Sequence, residues 1–351
     1  MRVRMISTHL LNCVCLLVVL TFVSSSAPAQ APQGTERRIA LVVGNGQYQF
    51  GELATPANDA GLIAQTLQAA GFDVIGARDL EAEALRQTLR DFLEKATAAG
   101  PGAVAVVYLA GHGVQYEGEN YFVPVDARIE RDSDVPIQAI RLSDYLRPLA
   151  GLPLKARFVV LDVARNNPYS AHGNPLASGL ALIEPGTGVV MAYNAAPGTI
   201  AAEDKGPYGS YAQALSEMMR DGGVAHDVVF ERVRLRVSEV TEGAFIPWNN
   251  GKVDPPFYFF DRAPDAPTPA VQPEYITRRA DPIRSFEPDV AFTAALDRDT
   301  LEDYQQFVDA FPAHRLVLRV RAIAAIRREA ITWRRTCSND SANAYWSYID
   351  R

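Results

Sequence analysis

A chain of 351 residues, 48% hydrophobic and 21% charged, is long enough for one large globular domain and a smaller companion. A formal charge of −7 works against nonspecific binding to nucleic acid or to an anionic membrane surface. Three cysteines in all exclude a scaffold built on several disulfides.

Arg2 and Arg4 precede a mostly apolar stretch from His9 to Val23, and Ala27-Pro28-Ala29 offers a small-residue cut after Ala29. Residues 1–29 read as a signal peptide, and the mature chain as exported, periplasmic or secreted. The alternative is an uncleaved anchor, for which the apolar run falls short of the ~20 residues a span needs. Cleavage would remove Cys13 and Cys15 and leave Cys337 alone, a structural cysteine near the C-terminus with no partner for a disulfide.

From Arg37 to Arg262 the pattern alternates strand and helix. Ile39 to Val43 is an apolar run closed by Gly44-Asn45-Gly46, as expected of a strand buried on both faces. Residues 57–70 carry Leu62, Ile63 and Leu67 at helical spacing, with Gly71 placed to end the helix. Phe72 to Ile75 reads as a second strand. Residues 81–99 form an amphipathic helix with Leu85, Leu89, Phe92 and Leu93 on one face. A strand over 103–109 and a hairpin over 114–125, turning at Glu117-Gly118-Glu119-Asn120, follow. Leu142 to Leu149 is a short helix limited by Pro148. A strand over 157–161, a loop over 165–187, a strand over 188–193 and helices over 208–219 and 226–240 come next. Phe257 to Phe260 reads as a last short strand. This alternation predicts an α/β fold, a mostly parallel sheet with helices on both faces. Sites in such sheets lie beyond the C-terminal strand ends, where Gly44, His112 and Ala164 all fall.

Six prolines between 264 and 288 mark residues 263–290 as an extended linker. Residues 291–351 read as a small all-helical segment with a weak repeat, 299–309 matching 340–350 at a period of 41 residues. Seven arginines against Glu329 over 315–335 read as a solvated helix face, the alternative being a site for an acidic partner.

Two strand ends carry the chemistry. One is Ala110-Gly111-His112-Gly113. The other, with Ala164 lying 52 residues past His112, is Asp162-Val163-Ala164-Arg165-Asn166-Asn167-Pro168. With these go Leu41-Val42-Val43-Gly44-Asn45, Pro56-Ala57-Asn58-Asp59-Ala60, Asn120-Tyr121-Phe122-Val123-Pro124-Val125-Asp126-Ala127, Thr241-Glu242-Gly243 and Pro247-Trp248. In order and spacing they make residues 37–262 resemble the caspase-like cysteine peptidases: caspases, metacaspases, paracaspases and their bacterial relatives.

That resemblance implies a caspase-like sheet. It puts His112 in the base position and Ala164 where active relatives carry the cysteine, and it makes the Gly113 backbone an oxyanion donor. A methyl group cannot attack a carbonyl, and Ser170 lies six residues on, past Pro168. The resemblance also implies that Asp59 and Asp162 line a pocket for a basic side chain, held by charge-assisted hydrogen bonds. For Asp59 the alternative is capping the helix that starts near residue 58.

No phosphate loop, H-E-x-x-H or paired C-x-x-C is present, so no cofactor and no metal are expected. The expected partner is a polypeptide ligand or a protein. Neither a nucleic acid nor a membrane span after leader removal is expected. Two functions remain: a peptidase relative that binds without cutting, and an active endopeptidase that cleaves after basic residues with another nucleophile.

Overall fold

The computed structural model describes residues 36–169, 179–204, 206–261, 281–339 and 341–349. The leader, most of the Pro-rich stretch, Ser170 and His172 lie outside these residues.

Three apolar runs become the centre of a six-stranded sheet: β1 (Arg38–Gly44), β3 (Val104–Ala110) and β7 (Ala156–Asp162). Runs with no polar alternation suit strands covered on both faces. β2 (Asp73–Arg78) flanks them on one side, and β8 (Val189–Tyr193) and β9 (Trp248–Gly251) on the other. The order is β2-β1-β3-β7-β8-β9, parallel except that β9 runs antiparallel to β8.

Helices α1 (Pro56–Ala69) and α2 (Ala82–Ala99) start close to where periodicity puts them. α1 buries Ile63 and Leu67, and α2 buries Leu85, Leu89 and Phe92. Gly71 takes φ +81° after α1, the left-handed conformation that costs glycine least. The hairpin forms as β4 (Gly113–Tyr116) and β5 (Glu119–Phe122), with Glu117 and Gly118 both at positive φ in a two-residue turn. β6 (Ile140–Arg141) completes a small antiparallel sheet.

Helix α3 (Ser143–Gly151) runs past Pro148, which therefore does not end it. α4 (Ser210–Met219) and α5 (His226–Val240) complete the domain's long helices. The last strand differs from expectation. Phe257–Phe260 makes only one isolated bridge, Ala225 to Tyr258, and Trp248–Gly251 is the strand. The alternation at 257–260 serves packing instead. Phe257 and Phe259 are buried and pack tilted against Phe158 at 5.3 and 5.4 Å between ring centroids.

The C-terminal region is helical: α6 (Pro288–Arg298), α7 (Leu301–Ala310), α8 (Val317–Asn339) and α9 (Ala342–Ile349). The first three residues of α6 fall inside the stretch read as linker. The two matching segments fall on α7 and α9. This region packs on the α/β domain. Buried Arg234 of α5 donates to Asp299 at 2.9 Å, Arg327 pairs with the same carboxylate, and its guanidinium sits 4.2 Å from the Trp248 ring centroid. Arg315 donates to the Glu242 carbonyl. Arg327 is thus spent inside the molecule, while Arg315, Arg321, Arg328 and Arg335 are exposed, as a solvated face requires.

Among the described residues no helix is long and apolar enough to cross a membrane, and no cluster of His, Cys, Asp and Glu is arranged to hold a metal.

Candidate active site

The parallel pairing of β3 with β7 sets Ala110 opposite Asp162. The two chains stay joined beyond the strands. The Gly111 N–H donates to the Asp162 carbonyl at 3.3 Å and the Gly113 N–H to the Val163 carbonyl at 2.8 Å. His112 and Ala164 therefore leave adjacent strand ends side by side. Gly111 is required for this approach: its φ is +148°, and a Cβ there would sit 2.5 Å from the Tyr48 hydroxyl oxygen.

His112 is 3% exposed. Its Nε2 lies 2.6 Å from the Gly51 carbonyl oxygen, which can only accept, so Nε2 carries the proton and Nδ1 the lone pair. Tyr48 packs on the imidazole at 4.7 Å between centroids and Tyr169 at 6.2 Å. Burial draws the pKa of His112 down to about 4, against the Gly51 hydrogen bond that favours its charged form. The ring is neutral at physiological pH. The loop that covers it is fixed by Asp79, which accepts from the Gly46 and Gln47 N–H groups, and by Leu53 N–H donating to Gly46. A Cβ at Gly51 would meet the Pro168 ring at 2.7 Å, so this loop and the Pro168 turn close on one another over the imidazole.

Ala164 is fully buried. Its N–H donates to Asn194 Oδ1 at 3.0 Å, and its carbonyl accepts from Ala201 N–H at 2.7 Å. The backbone donors on both sides of the site are thus taken. Gly113 N–H, expected to face an oxyanion, serves Val163, and the Ala164 amide serves Asn194.

The two acids expected to receive a basic side chain already have one. Asp162 accepts from Arg165 Nη2 at 3.1 Å, from Asn194 Nδ2 at 2.9 Å and from the Tyr108 hydroxyl at 2.8 Å. Burial disfavours the charge on Arg165, yet Asp162 first and Asp59 second hold its pKa above the ordinary value. Asp59 lies inside α1, whose N-cap is Thr55, so it does not cap the helix. Its Oδ1 accepts from Gly209 N–H at 2.7 Å, and its buried Oδ2 has no hydrogen-bond partner. Burial and then the charge of Asp162 push Asp59 up to about 7. One cation balances one carboxylate, and the second carboxyl is poised to stay neutral.

The family model for the caspase domain, peptidase family C14, matches residues 37–258. The chain belongs to the caspase-domain family. No curated protein matches it. The order and spacing of the motifs thus point to the right family, and the chain is homologous to cysteine peptidases. The structure brings the caspase-domain residues His112, Gly113 and Ala164 together at one pair of strand ends, and Asp59 and Asp162 around Arg165 beside them.

Sequence reasoning missed Arg165, Asn194, Tyr108, Tyr48 and Gly51. Two of these carried a signal. Arg165 directly follows Ala164, and Asn194 directly follows β8, a place where side chains of parallel sheets enter sites.

Proposed function

We propose that this chain is a caspase-domain pseudopeptidase. It is exported to the periplasm or beyond, and it binds a polypeptide or a protein partner without cutting it. Ala164 carries the proposal, because its methyl group leaves the strand end beside His112 and cannot attack a carbonyl. The commitment of the Gly113 and Ala164 amides to internal acceptors supports it further. An oxyanion hole stabilises charge only with donors free to point at it. In this reading Asp59 and Asp162 are an ancestral pocket for a basic side chain, now occupied by Arg165.

The test is an assay of the mature chain on reporter peptides with Arg or Lys before the scissile bond. No His112-dependent release is expected. Hydrolysis that is lost in His112→Ala would establish the other reading, an endopeptidase with a non-standard nucleophile. Binding is tested by titrating an immobilised peptide library with the intact chain. A complete lack of binders would refute the role in recognition.

A further inference from the structure

A cavity of about 300 Å³ lies in the seam between the α/β domain and the C-terminal helices. One wall is α8, which presents Arg319, Ala322 and Ile323 at i, i+3 and i+4, on one face of the helix. The other wall is Ala196, Thr199 and Ile200, from the segment that follows β8, with Ile246 beside them. That segment is held by its backbone. Ala196 N–H donates to the Ile246 carbonyl and Gly198 N–H to the Leu180 carbonyl, both at 2.9 Å, and Thr199 donates its N–H and its hydroxyl to the Ala196 carbonyl at 2.9 and 2.6 Å. The chamber is therefore built before any ligand arrives. Its volume is at the low end of the range for ligand sites. Thr199, Ile200, Arg319 and Ala322 are each half exposed, so it opens to solvent and has room for the end of a chain.

Every lining side chain but two is apolar. Thr199 spends its hydroxyl hydrogen on Ala196, which leaves Arg319 as the only charged group in the lining. Among the described residues Arg319 has no hydrogen bond and no ion pair. Burial lowers its pKa, and no carboxylate offsets that. Two arginines on either side of it in sequence are already engaged: Arg315 donates to the Glu242 carbonyl, and Arg327 pairs with Asp299. A guanidinium offers a planar fork of donors that matches a carboxylate. The ligand that completes this chamber is thus an anion with an apolar group directly attached.

We propose that the chamber captures the C-terminal residue of a partner polypeptide that ends in an aliphatic side chain. That side chain lies against Ile200, Ile246 and Ile323, and the terminal carboxylate lies on Arg319. An internal aliphatic residue brings no charge, and an acidic side chain brings no apolar body, so a free chain end meets both demands. The inference rests on the reading of this chain as a binder of polypeptides, and it names a place where one is held apart from the His112 and Ala164 strand ends. The two places share a support: Ala201, next to Ile200, donates its N–H to the Ala164 carbonyl at 2.7 Å.

The test is fluorescence anisotropy of the intact chain with a labelled hexapeptide ending in leucine, its C-terminus either free or amidated. The free acid is expected to bind saturably and the amide about ten-fold more weakly, as the loss of a half-exposed charge-assisted hydrogen bond requires. Arg319→Met is expected to bring the acid down to the level of the amide. Ala322→Phe fills the chamber from the half-buried side of α8, leaves Arg319 in place and is expected to abolish binding of both. It carries the test if Arg319→Met does not fold. The free acid 4-methylpentanoate, which has the apolar body and the charge but no chain, is expected to compete only weakly. No binding of the peptide acid, equal affinity for the amide, binding that survives Ala322→Phe, or 4-methylpentanoate competing as well as the peptide overturns the proposal. If the chain still retains other peptides in such a case, the broader reading as a polypeptide binder stands; if it retains none, both fall.

Discussion

Two buried titratable groups beside the strand ends act on stability with opposite sign, and single substitutions should separate them. His112 has a pKa of about 4 in the folded chain against an ordinary 6.5. Between those values the unfolded state binds the extra proton, so stability rises with pH. The contribution is fully present above about 6.5 and lost as pH falls towards 4. At about 1.4 kcal/mol per pH unit it amounts to about 3 kcal/mol. Asp59 runs the other way. Its pKa is raised from 3.8 to about 7, so the folded state keeps the proton longer. Its contribution is present below about 4 and lost as pH rises to about 7, on the order of 4 kcal/mol. In the wild-type chain the two slopes largely cancel between pH 4.5 and 6.5. Urea midpoints measured across that range report the slopes directly. Relative to wild type, His112→Gln should lose stability as pH rises, and Asp59→Asn should gain it. Both variants tracking the wild-type profile, or a native-state imidazole resonance of His112 titrating near 6.5, would refute the reasoning.

Three further outcomes follow from the same geometry. Ala164→Cys supplies a thiol where the family resemblance puts the nucleophile but not the rest of the site: with His112 a weak base at a pKa of about 4 and both amides engaged, reporter hydrolysis should stay at the wild-type level and the new thiol should react slowly with iodoacetamide. Rapid turnover would show that the covering loop opens freely. Arg165→Ala leaves Asp162 buried without its cation and should cost about 3–5 kcal/mol. Agmatine, which carries a free guanidinium, should then raise the melting temperature of this variant and not that of the wild type. Asp299→Ala removes the carboxylate shared by Arg234 and Arg327 and should cost a similar ~3–5 kcal/mol, because two arginines lose their partner. Its hydrogen-exchange signature is faster exchange in α7 and α8, with β1, β3 and β7 unchanged.

Much of the fold is legible because burial on both faces writes β1, β3 and β7 as unbroken apolar runs, and amphipathic spacing writes α1 and α2. β9 is illegible because Trp248-Asn249-Asn250-Gly251 is an edge strand whose polar residues need no apolar partner. Phe257–Phe260 misleads because alternation records which side chains are buried, not whether the backbone has a strand to pair with. Pro148 misleads because a proline removes one helical hydrogen bond, and the packing of Leu149 outweighs that loss. At the site, His112 and Ala164 are legible from strand ends and spacing. Their partners are not. Gly51 reaches His112 across 61 positions of sequence, and Asn194 reaches Ala164 across 30. Such contacts are set by how loops close over the sheet, which no local pattern encodes.

The position of Arg165, three residues from Asp162 and bonded to it, sets the terms on which any outside cation could pair with that carboxylate. A tethered group competes at an effective concentration of at least the millimolar order, however dilute the protein. Free arginine at micromolar levels cannot displace it. A visiting chain would have to gain most of its affinity elsewhere on the surface before its own basic side chain could take the place of the resident one.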